Sequence, residues 1–186
     1  MHGDVESLKD EIAVLEYRRG DKAALERIIR RWQRRIFAYT RAMVSQSDAA
    51  WDVSQETWLA VIKALRGGRE IRCFRAWLYG VARNKCISYL RKTGRRRELI
   101  DNEGGDPEDV AAPLREPVID AEDAQGVRDA LMALPLPQRE AMTLFHLEDM
   151  PLKEIAGVLS IPVGTVQSRL HHGRRKLKEM LSRKGM

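Results

Sequence analysis

Leu152-Lys153-Glu154-Ile155-Ala156-Gly157-Val158-Leu159, then Ser160-Ile161-Pro162-Val163, then Gly164-Thr165-Val166-Gln167-Ser168-Arg169-Leu170 and on to Lys178: this stretch decides the fold. Its first part carries apolar residues at helical spacing. Pro162 and Gly164 lower helix propensity and punctuate a tight turn between two helices. In the second helix Val166, Leu170, Gly173, Leu177 and Leu181 recur at intervals of three and four, so they share one stripe. Gln167, Arg169, His171, Arg174 and Arg175 lie off it. A helix with an apolar back and a front of hydrogen-bond donors suits a major groove, where guanine offers two acceptors and adenine a donor–acceptor pair. The bland alternative is an amphipathic hairpin whose charged face is only solvated. One-sided charge argues against it: residues 169–184 hold seven Lys or Arg and one acid, Glu179. The pattern reads as a helix-turn-helix ending in a basic helix, and its partner as a polymer rather than a small molecule.

Outward from this stretch, the totals set limits. The chain has 186 residues, 44% hydrophobic and 32% charged, enough apolar content for one large or two small cores. No apolar run approaches the ~20 residues of a membrane helix. The N-terminus lacks the zones of a signal peptide, so a cytoplasmic protein is expected. Cys73 and Cys86 have no CxxC spacing and read as reduced, partly buried thiols. The four histidines form no ligand cluster. His171 and His172, as neighbours, are expected on different sides of a helix. No metal and no cofactor is expected.

Charge divides the chain. The net is +6, which favours an anionic partner. Residues 98–123 hold ten acids and one base, Arg115, a local net of −9 that leaves +15 elsewhere. The same strip holds Gly104, Gly105, Pro107, Pro113 and Pro117 with little periodicity, the composition of a flexible acidic linker. The boundaries read as an N-terminal domain over residues 1–93, a linker over 94–120 and a smaller domain over 121–186.

The N-terminal domain reads as four helices. The first, over residues 4–19, turns Val5, Leu8, Ile12 and Leu15 inward and ends at Gly20. Asp21 caps a second carrying Leu25, Ile28, Ile29, Trp32, Ile36 and Phe37. Ser47 or Asp48 caps a third with Val53, Thr57, Val61 and Leu65 on its buried face. A fourth carries Phe74, Trp77, Leu78, Val81, Ala82 and Ile87 inward. Nothing alternates with period two for long enough to make a sheet, so the fold class is all-α.

Two constellations stand out here. Arg66, Arg69, Arg72, Arg75, Arg83, Asn84, Lys85, Arg91, Lys92, Arg95, Arg96 and Arg97 form a basic track interleaved with Phe74, Trp77, Tyr79 and Tyr89. Such a track suits single-stranded or locally opened nucleic acid, with cations following phosphates and flat groups engaging bases. Phe74 and Trp77 fit the core stripe equally well and read as packing. On the third helix Asp52, Gln55, Glu56 and Leu59 fall at i, i+3, i+4 and i+7, a face apart from the buried one. An acidic patch on a basic domain could dock a basic protein surface. No GxSxG, P-loop, HExxH or GxGxxG after a strand occurs, so no catalytic site and no small-molecule substrate is indicated.

These motifs together resemble a bacterial sigma factor of the extracytoplasmic-function branch of the sigma-70 family. The likeness runs through Asp52-Val53-Ser54-Gln55-Glu56-Thr57-Trp58, Phe74-Arg75-Ala76-Trp77-Leu78-Tyr79-Gly80-Val81-Ala82-Arg83-Asn84 and Tyr89-Leu90-Arg91-Lys92. It continues through Leu134-Pro135-Leu136-Pro137-Gln138-Arg139-Glu140, Ile155-Ala156 and Val163-Gly164-Thr165-Val166-Gln167-Ser168-Arg169-Leu170. The resemblance implies a region-two domain that docks on the β′ clamp helices of core RNA polymerase through Asp52, Gln55, Glu56 and Leu59. It implies melting and capture of the minus-ten promoter element by Arg69, Arg72, Arg75, Arg83, Asn84, Lys85, Arg91 and Lys92. It implies a region-four domain, near the β flap, that reads the minus-thirty-five element through Thr165, Gln167, Ser168, Arg169, His171, Arg174 and Arg175. An anti-sigma factor is the implied inhibitor, able to hold the protein at the inner membrane face without membrane insertion. The acidic strip resembles the family's connector. About 28 residues extend at most ~90 Å, enough for the ~70 Å of two DNA turns. Trp51 departs from the family's usual acid, Gln167 from a common Lys and Ser160 from the usual turn Gly.

A stand-alone helix-turn-helix regulator would explain the C-terminus but leave the basic track and acidic patch unused. A decoy that only sequesters an anti-sigma factor would not need Arg83, Lys85 or Arg169.

Overall fold

The computed structural model describes residues 2–68, 70–94 and 124–183. All regular structure among them is helical. The chain forms two compact units, Met1–Tyr89 and Leu90–Met186. The strip read as a linker, apart from Gly94, lies outside the described residues, as do Arg69, Arg95, Arg96 and Arg97.

The first unit is built from α1 (His2–Arg18), α2 (Lys22–Met43), α3 (Ser47–Arg66) and α4 (Phe74–Lys92), whose last turn, from Leu90, runs past the unit's boundary. Gly20, at φ 103°, ends α1, and Asp21 caps α2 by accepting from the Ala23 N–H at 2.9 Å. Arg27 bridges this corner, donating to Glu16 and, at 3.4 Å, to Asp21. Ile28, Trp32, Ile36 and Tyr39 of α2 are buried, together with Val53, Thr57, Val61 and Leu65 of α3. Leu25, Ile29 and Phe37 are half-buried. The N-cap of α3 is Gln46 with no side-chain cap bond, not Ser47 or Asp48, which lie inside the first turn. Helix α4 joins through aromatic rings: Trp32 meets Phe74 at 6.4 Å and Tyr79 at 6.1 Å, and Tyr39 meets Tyr79 edge-on at 5.3 Å.

Helix α1 departs from the expectation. Leu8, Ile12 and Leu15 are 56%, 46% and 52% exposed, while Asp10, Ala13 and Val14 are buried. The reason is polar and steric. Asp10 accepts from Trp32 Nε1 at 3.2 Å and from Arg31 at 2.9 Å, and the small Ala13 and Val14 permit close approach. That orientation turns the bulky stripe to solvent. The Val5 side chain lies outside the described set.

The second unit contains α5 (Ala124–Ala133), α6 (Leu136–His146), α7 (Leu152–Leu159) and α8 (Val163–Arg183). Helix α8 packs against α5, α6 and α7. Arg139 is 4% exposed and donates to the Met132 and Leu134 carbonyls at 2.9 and 3.0 Å. Its guanidinium thus serves carbonyls that the end of α5 leaves without intrahelical donors. Gly173 is buried, and a Cβ there would sit 2.8 Å from Met142 Cγ. A side chain there would force Met142 to shift, so glycine suits the close approach of α8 to α6.

Candidate nucleic-acid interface

The turn of the helix-turn-helix forms where the sequence places it. Ser160 adopts the left-handed conformation, φ 57° and ψ 45°, and closes α7 through its N–H to the Ala156 carbonyl. The Ile161 N–H reaches the same carbonyl at 3.1 Å, so the chain reverses within two residues. Helix α8 starts at Val163, one residue before Gly164. Val166 and Leu170 are fully buried, Gly173 is buried, and Leu177 and Leu181 are half-buried, so the apolar back fits the expected stripe.

The front of α8 follows from that back. Thr165, Ser168, His172 and Arg175 fall at i, i+3, i+7 and i+10 on the side away from Val166 and Leu170. Gln167, His171 and Arg174 flank this line on one side and Arg169 on the other. All are half-buried except Arg175, which is exposed. Arg174 lies toward α6, its guanidinium 5.4 Å from the centre of the Phe145 ring. Burial lowers its pKa from the ordinary arginine value. This cation–π seat fixes the guanidinium at the edge of the front rather than at its centre.

Residue type alone does not single out His172 as a contact, but its helical position between Ser168 and Arg175 does. The two histidines also do not diverge as expected. Their rings meet edge-on at 5.6 Å, because long side chains can bridge the angle between neighbouring helical positions. Burial, then Arg175, His171 and Lys176, holds the His172 pKa below the usual histidine value. Its neutral ring can both donate and accept.

In the first unit Asp52, Gln55, Glu56 and Leu59 are all exposed on α3, opposite the buried Val53, Thr57 and Val61. Leu59 is 68% exposed. On α4 Asn84 and Arg91 face outward two turns apart, and Lys92 and Arg72 are exposed. Arg75, Arg83 and Lys85 are half-buried at the borders. Arg72 pairs only loosely with Glu70, at 3.9 Å between two solvated side chains. The aromatic part of the track needs correction. Tyr79 is fully buried against Trp32 and Tyr39 and so belongs to the core, whereas Phe74, read as packing, is indeed fully buried. Trp77 and Tyr89 are half-buried, and the expected inward residues Val81 and Ile87 sit on the flanks, with Cys86 and Leu90 taking core positions.

The acidic face and the basic track are adjacent. Lys85 Nζ donates to Glu56 Oε2 at 3.3 Å. The side chains are 34% and 63% exposed, so the pair contributes little to stability, on the order of 0–1 kcal/mol. Its value is positional, since it joins the edge of the α3 face to the edge of the α4 track.

Among the described residues there is no group of three His, Cys, Asp or Glu side chains able to hold a metal, and no helix is long and apolar enough to cross a membrane.

Comparison with known proteins identifies the family of both units. The family model for sigma-70 region 2 matches residues 28–96, and the one for sigma-70 region 4 matches residues 124–177. The chain is 30% identical to the ECF RNA polymerase sigma-E factor of Haemophilus influenzae, over 95% of its own length and 97% of the relative's. It is 31% identical to the RNA polymerase sigma-H factor of Pseudomonas aeruginosa, over 93% and 94%. Its fold is similar to that of the sigma factor RpoE solved with the anti-sigma factor NepR from Bartonella quintana. There the TM-score is 0.63, with 29% identity over 85% of this chain and 96% of that one. CnrH, solved with the cytosolic domain of CnrY, shares the fold at a TM-score of 0.69 over 94% and 97% of the two chains. With region 2 over α2–α4, region 4 over α5–α8 and full-length relatives on both, the chain belongs to the extracytoplasmic-function sigma factors, a family of transcription initiation factors rather than enzymes.

Proposed function

We propose that this protein binds core RNA polymerase and directs it to specific promoters, under the control of an anti-sigma factor. The observation that carries the reading is the exposed acid–amide face of α3 beside the basic edge of α4, in a chain that also holds a helix-turn-helix. A stand-alone regulator has no use for the first two. Residues 1–93 form the polymerase-docking and minus-ten domain, residues 94–120 the connector and residues 121–186 the minus-thirty-five reader.

In this reading Asp52, Gln55, Glu56 and Leu59 meet the β′ clamp helices, and the C-terminal domain sits near the β flap. Arg69, Arg72, Arg75, Arg83, Asn84, Lys85, Arg91 and Lys92 follow and open the minus-ten element. Thr165, Gln167, Ser168, Arg169, His171 and Arg175 read the minus-thirty-five groove, with Arg174 at its edge. A solved relative bound to an anti-sigma factor, RpoE with NepR, supports an inhibitor of the same kind here. The protein works in the cytoplasm, where its polymerase is.

Run-off transcription tests this. Core RNA polymerase and a library of promoter fragments are combined with and without the protein. New start sites that require the protein are expected. Duplex binding without polymerase, and no new transcripts, would replace this reading with the stand-alone regulator.

A further inference from the structure

We propose that Trp51, braced by Phe37, is the apolar anchor of the polymerase-docking face. This inference rests on the docking role assigned above to α3.

Trp51 is 54% exposed, unusual for the largest apolar side chain in a well-packed unit. Its indole is not loose. The Phe37 ring of α2 meets it at 5.5 Å and 76°, an edge-to-face contact that fixes the ring before any partner arrives. It lies on the exposed side of α3, with Gln55 four residues on and Leu59 eight residues on. Trp51, Gln55 and Leu59 thus form one line, and Asp52 and Glu56 form the line beside it. The result is two large apolar groups separated by an amide and rimmed by carboxylates. Interfaces concentrate binding energy in such places: a rigid aromatic at the centre and charged groups at the rim that keep water out.

The rim selects the occupant. Asp48, Asp52 and Glu56 are all exposed around the anchor. A second copy of this chain docked on the same patch would set these carboxylates against one another. A helical surface with an apolar seat for the indole and Lys or Arg around it fits both features. The polymerase surface that docks on Asp52 and Gln55 is therefore the occupant, with Trp51 filling its apolar seat.

The test is the affinity of the full-length protein for core RNA polymerase, measured by titration. Trp51→Ala, Trp51→Phe, Phe37→Ala and the double variant Asp52→Ala with Gln55→Ala are compared, with folding checked by helical circular dichroism. Trp51→Ala is expected to weaken binding about thirtyfold, the fold-change of a hot-spot residue. Trp51→Phe should keep most of it, and Phe37→Ala should lose several-fold through a loosened indole. If Trp51→Ala stays within threefold while the double variant loses binding, the anchor is wrong and the docking face stands. If neither variant changes affinity, the docking reading itself falls. If Trp51→Ala weakens only self-association or capture by an inhibitor protein, measured by sedimentation, that partner replaces polymerase as the occupant.

Discussion

The carboxylate of Asp10 is 2% exposed, yet it sits on the first helix of a small domain. Its two partners explain why it is tolerated: Trp32 Nε1 at 3.2 Å and Arg31 at 2.9 Å. A buried charge is stable only when paired and hydrogen-bonded. Asp10→Ala should therefore cost about 1–3 kcal/mol, the penalty for stranding a buried indole N–H and a charged guanidinium. Chemical denaturation of the parent and variant measures it, and a change below ~0.5 kcal/mol would show the pair to be incidental. Ser160 makes the opposite case. It holds φ 57° at the end of α7, a region that costs an L residue roughly 1–2 kcal/mol. Glycine removes that strain but loses more entropy on folding, by about 0.5–1 kcal/mol. Ser160→Gly should thus stabilise the C-terminal unit by about 0.5–1 kcal/mol, seen as a higher melting temperature; a lower one would mean that the serine side chain holds the turn. Arg169 tests readout rather than stability. If it contacts a base edge, Arg169→Ala should cost ~1–3 kcal/mol and relax preference at one position of the upstream element. Binding assays across single-base promoter variants decide this, and an equal loss on every promoter would reduce Arg169 to a phosphate contact.

At the scale of elements, α1 and α8 mark how far periodicity reaches. Helix α8 was legible because its buried stripe is its only apolar stripe, and Val166 and Leu170 had nowhere else to go. On α3 the run Val53, Thr57, Val61 and Leu65 sets the buried side, so spacing alone puts Asp52, Gln55, Glu56 and Leu59 on another face, even though Leu59 is itself apolar. Helix α1 was not. Spacing identifies Leu8, Ile12 and Leu15 as a stripe but cannot tell whether another face binds better. A buried Asp10 with two specific partners, flanked by Ala13 and Val14, outcompetes three large apolar groups, and no hydrophobicity scale credits that. The same blindness placed Tyr79 in the nucleic-acid track, since aromatics serve cores and bases alike and only its contacts with Trp32 and Tyr39 decide. The Arg139 cap and the Lys85–Glu56 pair depend on tertiary approach and left no local signal. With Ile12 and Leu15 exposed, Ile12→Gln with Leu15→Gln should leave stability within ~0.5 kcal/mol, as exposed substitutions do. Inward-facing residues would cost about 2–5 kcal/mol each on truncation. Thermal unfolding of the double variant separates the two, and a loss beyond ~2 kcal/mol would return the stripe to the core.

For the whole molecule, charge is the property that no single element explains. The chain carries +6, but residues 98–123 contribute −9, and the remaining surface therefore carries +15. A body of that charge attracts any nucleic acid, because neutralised phosphates release counterions whatever the base sequence. A promoter-directing subunit gains nothing from such binding, which competes with the few correct sites across a genome. The acidic strip is covalently tied to the domains that carry those basic groups. If it competes with DNA for them, non-specific phosphate contacts weaken while base contacts in the groove do not. Replacing its ten acids with Asn and Gln should thus raise affinity for random duplex DNA at low salt much more than it raises polymerase-dependent promoter selectivity. The gain should shrink as salt rises, since exposed charges more than ~10 Å apart are largely screened at 0.1 M. Filter binding of the parent and neutralised chains to random duplex across a salt series measures both. Equal affinities at every salt concentration would mean that the strip does not screen the basic surfaces, and that its charge serves only a partner outside this chain.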